Sequence, residues 1–256
     1  VKRLSRTLAV IGTLVATACA GKPPKEAVLL VGRDVNSHWS TVYSPALAAP
    51  DREITVVDVA GRPAAEALQP WLTRQEQHLI IVPMTVTGAD PLVADLQAAI
   101  RQRPASVVVP PPEASAPLVT GVAQRALRMS QRRSQEGLWV VMDLPPGADP
   151  KAAQATVDKV AAQIGASVDF HPCVGVVWQG AASVNDVATA AKQVGRPLVV
   201  TYSTNPAPLS MDIRDRLHGF RYHLDGEGVL SDPFFQEWLR EAVGKAAVSV
   251  ANPPPP

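Results

Sequence analysis

The side chains best suited to chemistry in this chain stand in short polar loops, each following an apolar run. Gly32-Arg33-Asp34-Val35-Asn36-Ser37-His38 comes after the first run, Thr85 to Asp90 after the third, Asp143 to Asp149 after the fifth and Ser203 to Pro208 after the seventh. Arg33 stays protonated and carries no lone pair, so it can neither bind a metal nor accept a proton, but its planar fork can grip a carboxylate or phosphate. Pairing with the adjacent Asp34 at the surface is its plainer use. Asp34 and Asp143 hold matching places at the ends of the first and fifth runs, and paired carboxylates can share acid–base work. Capping a helix or meeting solvent are the simpler roles. His38 could act as a metal ligand, although Ser37-His38-Trp39 also reads as a helix start. His171 and Cys173 are two apart and would share one strand face as a soft N/S pair. Without a third or fourth ligand in local spacing, that pair reads as buried structure. The sequence holds no Walker-type phosphate loop, Gly-x-Gly-x-x-Gly fingerprint, Gly-x-Ser-x-Gly elbow or His-Glu-x-x-His. The sequence-readable nucleotide, hydrolase and zinc-protease chemistries are thereby removed.

The elements that must position these loops come in two copies. His78 to Leu96 and Arg196 to Ile213 each run from an apolar stretch through a small-polar loop into Pro-Leu-x-x-Asp-Leu/Ile. Ile54 to Leu68 and Cys173 to Ala188 also match, passing from β-branched residues through Gly to an Ala-rich helix. Strands are expected at Ala27 to Val31, Glu53 to Val57, His78 to Val82 and Ala105 to Val109. A second set is expected at Leu138 to Met142, Val168 to Cys173 with an extension toward Val177, Pro197 to Tyr202 and Gly219 to Leu224. Continuous apolar strands alternating with helices imply parallel sheets covered on both faces. Asp149-Pro150 and Asp232-Pro233 mark helix starts, an N-cap acceptor before a proline. The expected fold is therefore α/β with two homologous lobes, residues 27–133 and 134–248, each a four-stranded parallel sheet with helices on both faces. The boundary falls in the polar stretch Ser130 to Gly137, and the Arg-rich segment Arg125 to Arg133 reads as a helix end and linker. In such sheets ligands bind beyond the carboxyl ends of the strands, which makes the inter-lobe cleft the expected site.

Composition narrows the partners. The 256 residues are 46% hydrophobic and 18% charged, as in a folded protein, and the net charge of +1 gives no basis for nucleic-acid binding. Lys2, Arg3 and Arg6 precede an apolar run, Leu8 to Ala18, too short to span a bilayer as a permanent helix. The following Val15-Ala16-Thr17-Ala18-Cys19 resembles the lipobox of bacterial lipoproteins, with Ala16 where Leu is usual. That resemblance implies a signal over residues 1–18, lipid on Cys19, a Pro-stiffened tether over 19–26 and an exported protein held on a cell membrane. Cys173 would then have no disulfide partner and is expected to be buried. Residues 249–256, ending in a proline run, read as a disordered tail.

The chain also resembles the class II tetrapyrrole metal chelatases, the sirohydrochlorin cobaltochelatase and ferrochelatase family. Ala27 to Gly32 resembles the family's opening strand, Leu79 to Met84 with Asp95-Leu96 the segment around the metal loop, and Leu230 to Phe235 with Leu239 to Ala242 the closing helix. The resemblance implies two fused lobes of four βα units over residues 25 to 247. Family members follow the first strand with His-Gly-Ser or His-Gly-Thr, where this chain has Arg33-Asp34-Val35. The second family histidine falls at Pro91 in one lobe and Pro208 in the other. Metal insertion needs a ligand to deliver the ion and a base for the pyrrole protons, and imidazole suits both. The expectation is thus non-catalytic binding of a small molecule, a tetrapyrrole or other carboxylated compound, in a cleft lined by Arg33, Asp34, Asn36, Thr87, Asp143 and Asn205. No metal centre is expected, with His38 as the candidate ligand if one were present. The alternatives are a working Co or Fe chelatase using His38 and Asp34, or a structural envelope protein binding an unnamed partner.

Overall fold

Each of the eight apolar runs forms a strand, because β-branched side chains pack well on a pleated surface covered from both sides. The computed structural model describes residues 25–251 apart from 34–37, 75–76, 104, 193 and 195. The signal, Cys19, Asp34, Asn36 and residues 252–256 lie outside the described residues. In the first half the strands are β1 (Glu26–Gly32), β2 (Arg52–Asp58), β3 (His78–Pro83) and β4 (Ser106–Val108), joined by α1 (His38–Leu47), α2 (Ala64–Leu72) and α3 (Pro91–Ile100) and followed by α4 (Ala116–Met129). The second half repeats the order with β5 (Glu136–Asp143), α5 (Pro150–Ser167), β6 (Cys173–Trp178), α6 (Ala181–Ala191), β7 (Arg196–Thr201), α7 (Pro206–Arg216), β8 (His223–Asp225) and α8 (Pro233–Ala251). All pairings are parallel, in the orders β2-β1-β3-β4 and β6-β5-β7-β8. Strand order reverses between β1 and β3 and again between β5 and β7, which opens a crevice beyond their carboxyl ends in each lobe.

Alternate residues of the central strands feed different cores. Ala27, Leu29 and Val31 face α2 and α3 in an outer core, and Trp139, Val141 and Val199 do the same with α6 and α7. Val28, Leu30, Ile80 and Val82 of one sheet and Leu138, Val140, Leu198 and Val200 of the other belong to one continuous inner core. That core is continuous because the halves exchange their last helices. Helix α4 packs on β7, β8 and α5 of the second lobe, and α8 packs on β3, β4 and α1 of the first as well as on α4. The packed units therefore do not coincide with the contiguous segments 27–133 and 134–248.

Several local expectations are corrected. Strand β6 begins at Cys173, not Val168, since the Val168 N–H still bonds the Ile164 carbonyl at the end of α5 and Pro172 has no N–H to give a ladder. His171 is consequently exposed and pairs with Asp169 at 2.9 Å, so it neither is buried nor shares a strand face with Cys173. Cys173 is half-buried, with its thiol donating to the Ala161 carbonyl at 3.1 Å and its pKa pushed up to about 11 by burial. Strand β8 starts at His223, after a turn in which Gly219 takes a φ of +91°. Helix α8 continues to Ala251, into the segment expected to be tail. Arg125 does not belong to a polar linker: it is buried at 2% exposure, its charge met by Asp225 and Asp232 at 3.6 and 3.8 Å.

Candidate functional site

The carboxyl ends of β1, β3, β5 and β7 bring three of the expected residues together. Arg33 follows Gly32 directly, Asp143 is the last residue of β5, and Asn205 stands at the N-cap position of α7 without a side-chain capping bond. All three line a cavity of about 130 Å³ shared with Met84, Thr85, Asp90, Pro145 and Thr204. Arg33 is not free within it. One Nη1 donates to both Asp90 carboxylate oxygens, at 2.8 and 3.0 Å, and Asp90 is 5% exposed. Arg33 therefore has an internal ion-pair partner in Asp90, while its other expected partner, Asp34, lies outside the described residues. Asp90 is itself fixed, because one of its oxygens accepts from the Leu92 N–H and caps α3.

Asp143 faces this pair from the other lobe. Burial pushes its carboxyl pKa upward, a Ser203 hydroxyl hydrogen bond opposes that, and the negative charge of Asp90 adds to the rise. Among the described residues no ion pair is formed by Asp143. Gly32 lets the loop come in close, since a Cβ there would lie 2.8 Å from the Trp39 ring. Thr87 belongs to the framework: it is fully buried, its hydroxyl lies 3.1 Å from that of Thr156 on α5, and it accepts from the Ala89 N–H. It ties the lobes together and does not line the cavity.

A second chamber of about 480 Å³ adjoins the first, because Thr204 and Asn205 line both. Its walls include Trp39, Val42 and Tyr43 of α1 on one side and Pro206, Gly228 and Leu230 on the other. Tyr43 donates to the Leu230 carbonyl at 2.5 Å and meets Phe235 edge-on at 5.7 Å, which fixes this wall across the lobes. Burial raises the pKa of Tyr43 far above the ordinary phenol value, so its proton stays in that bond. His78 and His223 begin their strands, His171 precedes β6, and His218 follows α7. In parallel sheets all four therefore lie at the amino end, opposite the cleft. His38 is the first residue of α1. Among the described residues no group of three or more His, Cys, Asp or Glu is placed to hold a metal ion.

Sequence reasoning passed over Asp90, although Asp90-Pro91 has the same form as the two Asp-Pro helix starts it did use. The duplication explains part of the miss. Matching Pro91 with Pro208 aligns the buried pairs Leu92 with Leu209 and Leu96 with Ile213, but α7 starts earlier, at Pro206, so the cap equivalent to Asp90 is Asn205.

No family model matches the chain, and no curated protein matches its sequence. The structure is similar to SirB from Bacillus subtilis with Fe³⁺, with a TM-score of 0.64 and 12% identity over 90% of this chain and 98% of that one. The chain has a class II chelatase-like fold. A second SirB structure, the sirohydrochlorin chelatase of Bacillus subtilis subspecies spizizenii in complex with cobalt, aligns with a TM-score of 0.60 and 12% identity over 90% and 97% of the two chains. A solute-binding protein of an ABC transporter from Burkholderia graminis, in complex with D-arabinose, aligns at a TM-score of only 0.45 and 11% identity over 91% of each chain. The chelatase-like likeness covers both lobes and concerns their architecture; chemistry has to be argued from the residues in the cleft.

Proposed function

We propose that this protein is an exported, membrane-anchored lipoprotein that binds a small ligand between the lobes of its chelatase-like fold and does not insert metal. The observation that carries the reading is a pair of neighbouring chambers beyond the strand ends that share Thr204 and Asn205 and are walled by residues from both lobes, the narrower one holding Arg33, Asp90 and Asp143. Metal insertion asks for a group that delivers the ion and a base that takes up protons. Arg33 can do neither, Pro91 and Pro208 stand at the other family position, and four of the five histidines lie at the far end of the sheets. The fold likeness supports descent from, or common ancestry with, proteins of the SirB kind.

The test uses the full chain in detergent, incubated with sirohydrochlorin and Co²⁺ or Fe²⁺ while visible absorption and thermal unfolding are followed. The expected result is no metallated product, with any bound molecule raising Tm by mass action. Steady formation of metallated product, lost in His38→Ala, would reinstate the chelatase reading. The anchoring is tested separately: Cys19→Ala is expected to move the protein from the membrane to the soluble exported fraction. No described helix is long and apolar enough to cross a membrane.

A further inference from the structure

We infer that the cleft takes a small organic amine, its ammonium group in the chamber of Arg33, Asp90 and Asp143 and its apolar body against Trp39, Val42, Tyr43 and Leu230. The inference rests on the cleft-binding reading above and names the ligand class. Charge decides the polar end. Arg33 contributes one positive charge and Asp90 cancels it through both oxygens. Asp143 lines the same chamber and is left without a cation among the described residues. An ammonium group supplies the missing charge and three N–H donors, for which the Asp143 carboxylate is a ready acceptor. A ligand carboxylate would instead stand against the charges of Asp90 and Asp143, and the Arg33 Nη1 is already held by Asp90.

Size and wall chemistry decide the rest. A cavity of about 130 Å³ has room for roughly four waters at about 30 Å³ each, enough for an ammonium group and a methylene or two. The chamber of about 480 Å³ that shares Thr204 and Asn205 with it accepts a ring or short aliphatic body. The partly exposed Val42 and Leu230 give it an apolar face, backed by Trp39 and Tyr43, which are held in the inner core. A bare divalent cation suits the chamber poorly, because Arg33 repels it and, among the described residues, Asp143 is the single carboxylate lining it outside an ion pair.

The test titrates the full chain in detergent with three probes of nearly one shape, 2-phenylethylamine, 2-phenylethanol and 3-phenylpropionate, by calorimetry at neutral pH. The amine is expected to bind at least tenfold more tightly than the carboxylate, with the alcohol between. Asp143→Asn is expected to weaken the amine at least tenfold and to leave the alcohol within twofold. A carboxylate that binds as well as the amine overturns the amine assignment and leaves the cleft reading standing. Amine binding indifferent to Asp143→Asn overturns it too, as does loss of that binding to equimolar Co²⁺. Silence of all three probes and of sirohydrochlorin removes the cleft reading as well. The three-probe comparison on the unaltered chain decides the charge preference even if the Asp143→Asn chain fails to fold.

Discussion

Replacing Arg125 by Met tests whether the exchanged helix α4 is held by charge inside the second lobe. Arg125 is 2% exposed and donates to the Thr201 carbonyl at 2.9 Å and the Glu227 carbonyl at 3.3 Å. Its guanidinium also meets Asp225 and Asp232, and burial lowers its pKa while those two carboxylates and Glu227 raise it. Met fills similar space without the charge, so both carbonyls and both carboxylates lose their partner. Removing one member of a buried ion pair typically destabilises by about 3–5 kcal/mol. For a chain of this length each kcal/mol shifts Tm by about 2–4 °C, so the expected fall is about 6–20 °C. Arg128→Met is the control on the same helix: its pair with Glu227 spans 3.6 Å between side chains 63% and 68% exposed, and such pairs contribute about 0–1 kcal/mol. Arg125→Lys keeps the charge but loses the planar fork and is expected to fall between. Urea unfolding followed by circular dichroism measures all three. A loss for Arg125→Met within about 1 kcal/mol of that for Arg128→Met would refute the reasoning and show α4 to be held by apolar packing alone.

Asp143 has a raised folded-state pKa, so its contribution to stability is present below the unfolded value of about 3.9 and is lost as pH rises through the folded one. Asp143→Asn should therefore raise Tm at pH 7 and leave it unchanged near pH 3, and a lower Tm at pH 7 would contradict this. Glu136 behaves oppositely: burial pushes its pKa up, but hydrogen bonds from Ser130 and the Gln131 and Arg132 backbone, with the charge of Arg196, leave it below the usual carboxylate range. Its stabilisation is present above the unfolded pKa and fades as pH falls through the folded one, so Glu136→Gln should destabilise by about 1.5–3 kcal/mol at pH 7, with the difference shrinking in acid denaturation. Gly175→Val would set a Cβ 2.6 Å from the Val157 backbone and push β6 off α5, costing about 1–3 kcal/mol or more in thermal unfolding; an unchanged Tm would show that α5 can move.

Strand positions were legible because each apolar run is short, β-branched and followed by an Ala-rich stretch, and most strands end within a residue or two of where the runs end. Beginnings were harder. Val168 is apolar but belongs with the end of α5, and the apolar pattern does not register that its N–H is still committed to the Ile164 carbonyl. The helix exchange was not legible, since the amphipathic face of α4, with Leu118, Val119, Val122 and Ala126 buried, is the same whichever sheet it covers. Charge partners from distant segments were not legible for a related reason. Sequence offers Asp34 as the neighbour of Arg33, while the fold brings Asp90 to it from 57 residues away. Loop position identified Arg33, Asp143 and Asn205 as cleft residues, but it could not separate them from Thr87, whose hydroxyl is spent on Thr156.

The exchange of α4 and α8 governs how a ligand can reach the cleft. Lobes that close on a ligand by hinge motion need a boundary crossed by few contacts. Here the inner core runs unbroken from one sheet to the other. Tyr43 bonds the Leu230 carbonyl, Thr87 bonds Thr156, and the Tyr202 hydroxyl donates to the Glu113 carbonyl, each joining elements of different halves. Opening the lobes would separate these bonds and expose α4 and α8 together, so the fold favours a preformed site. Preformation lowers the ordering that binding must overcome. It also sets the dimensions: a chamber of about 130 Å³ bounded by a half-buried ion pair and the end of β5 does not widen to suit its guest. Selectivity in such a cleft comes from the size and charge of the group that enters the narrow end, and the wider apolar chamber adds affinity without much discrimination.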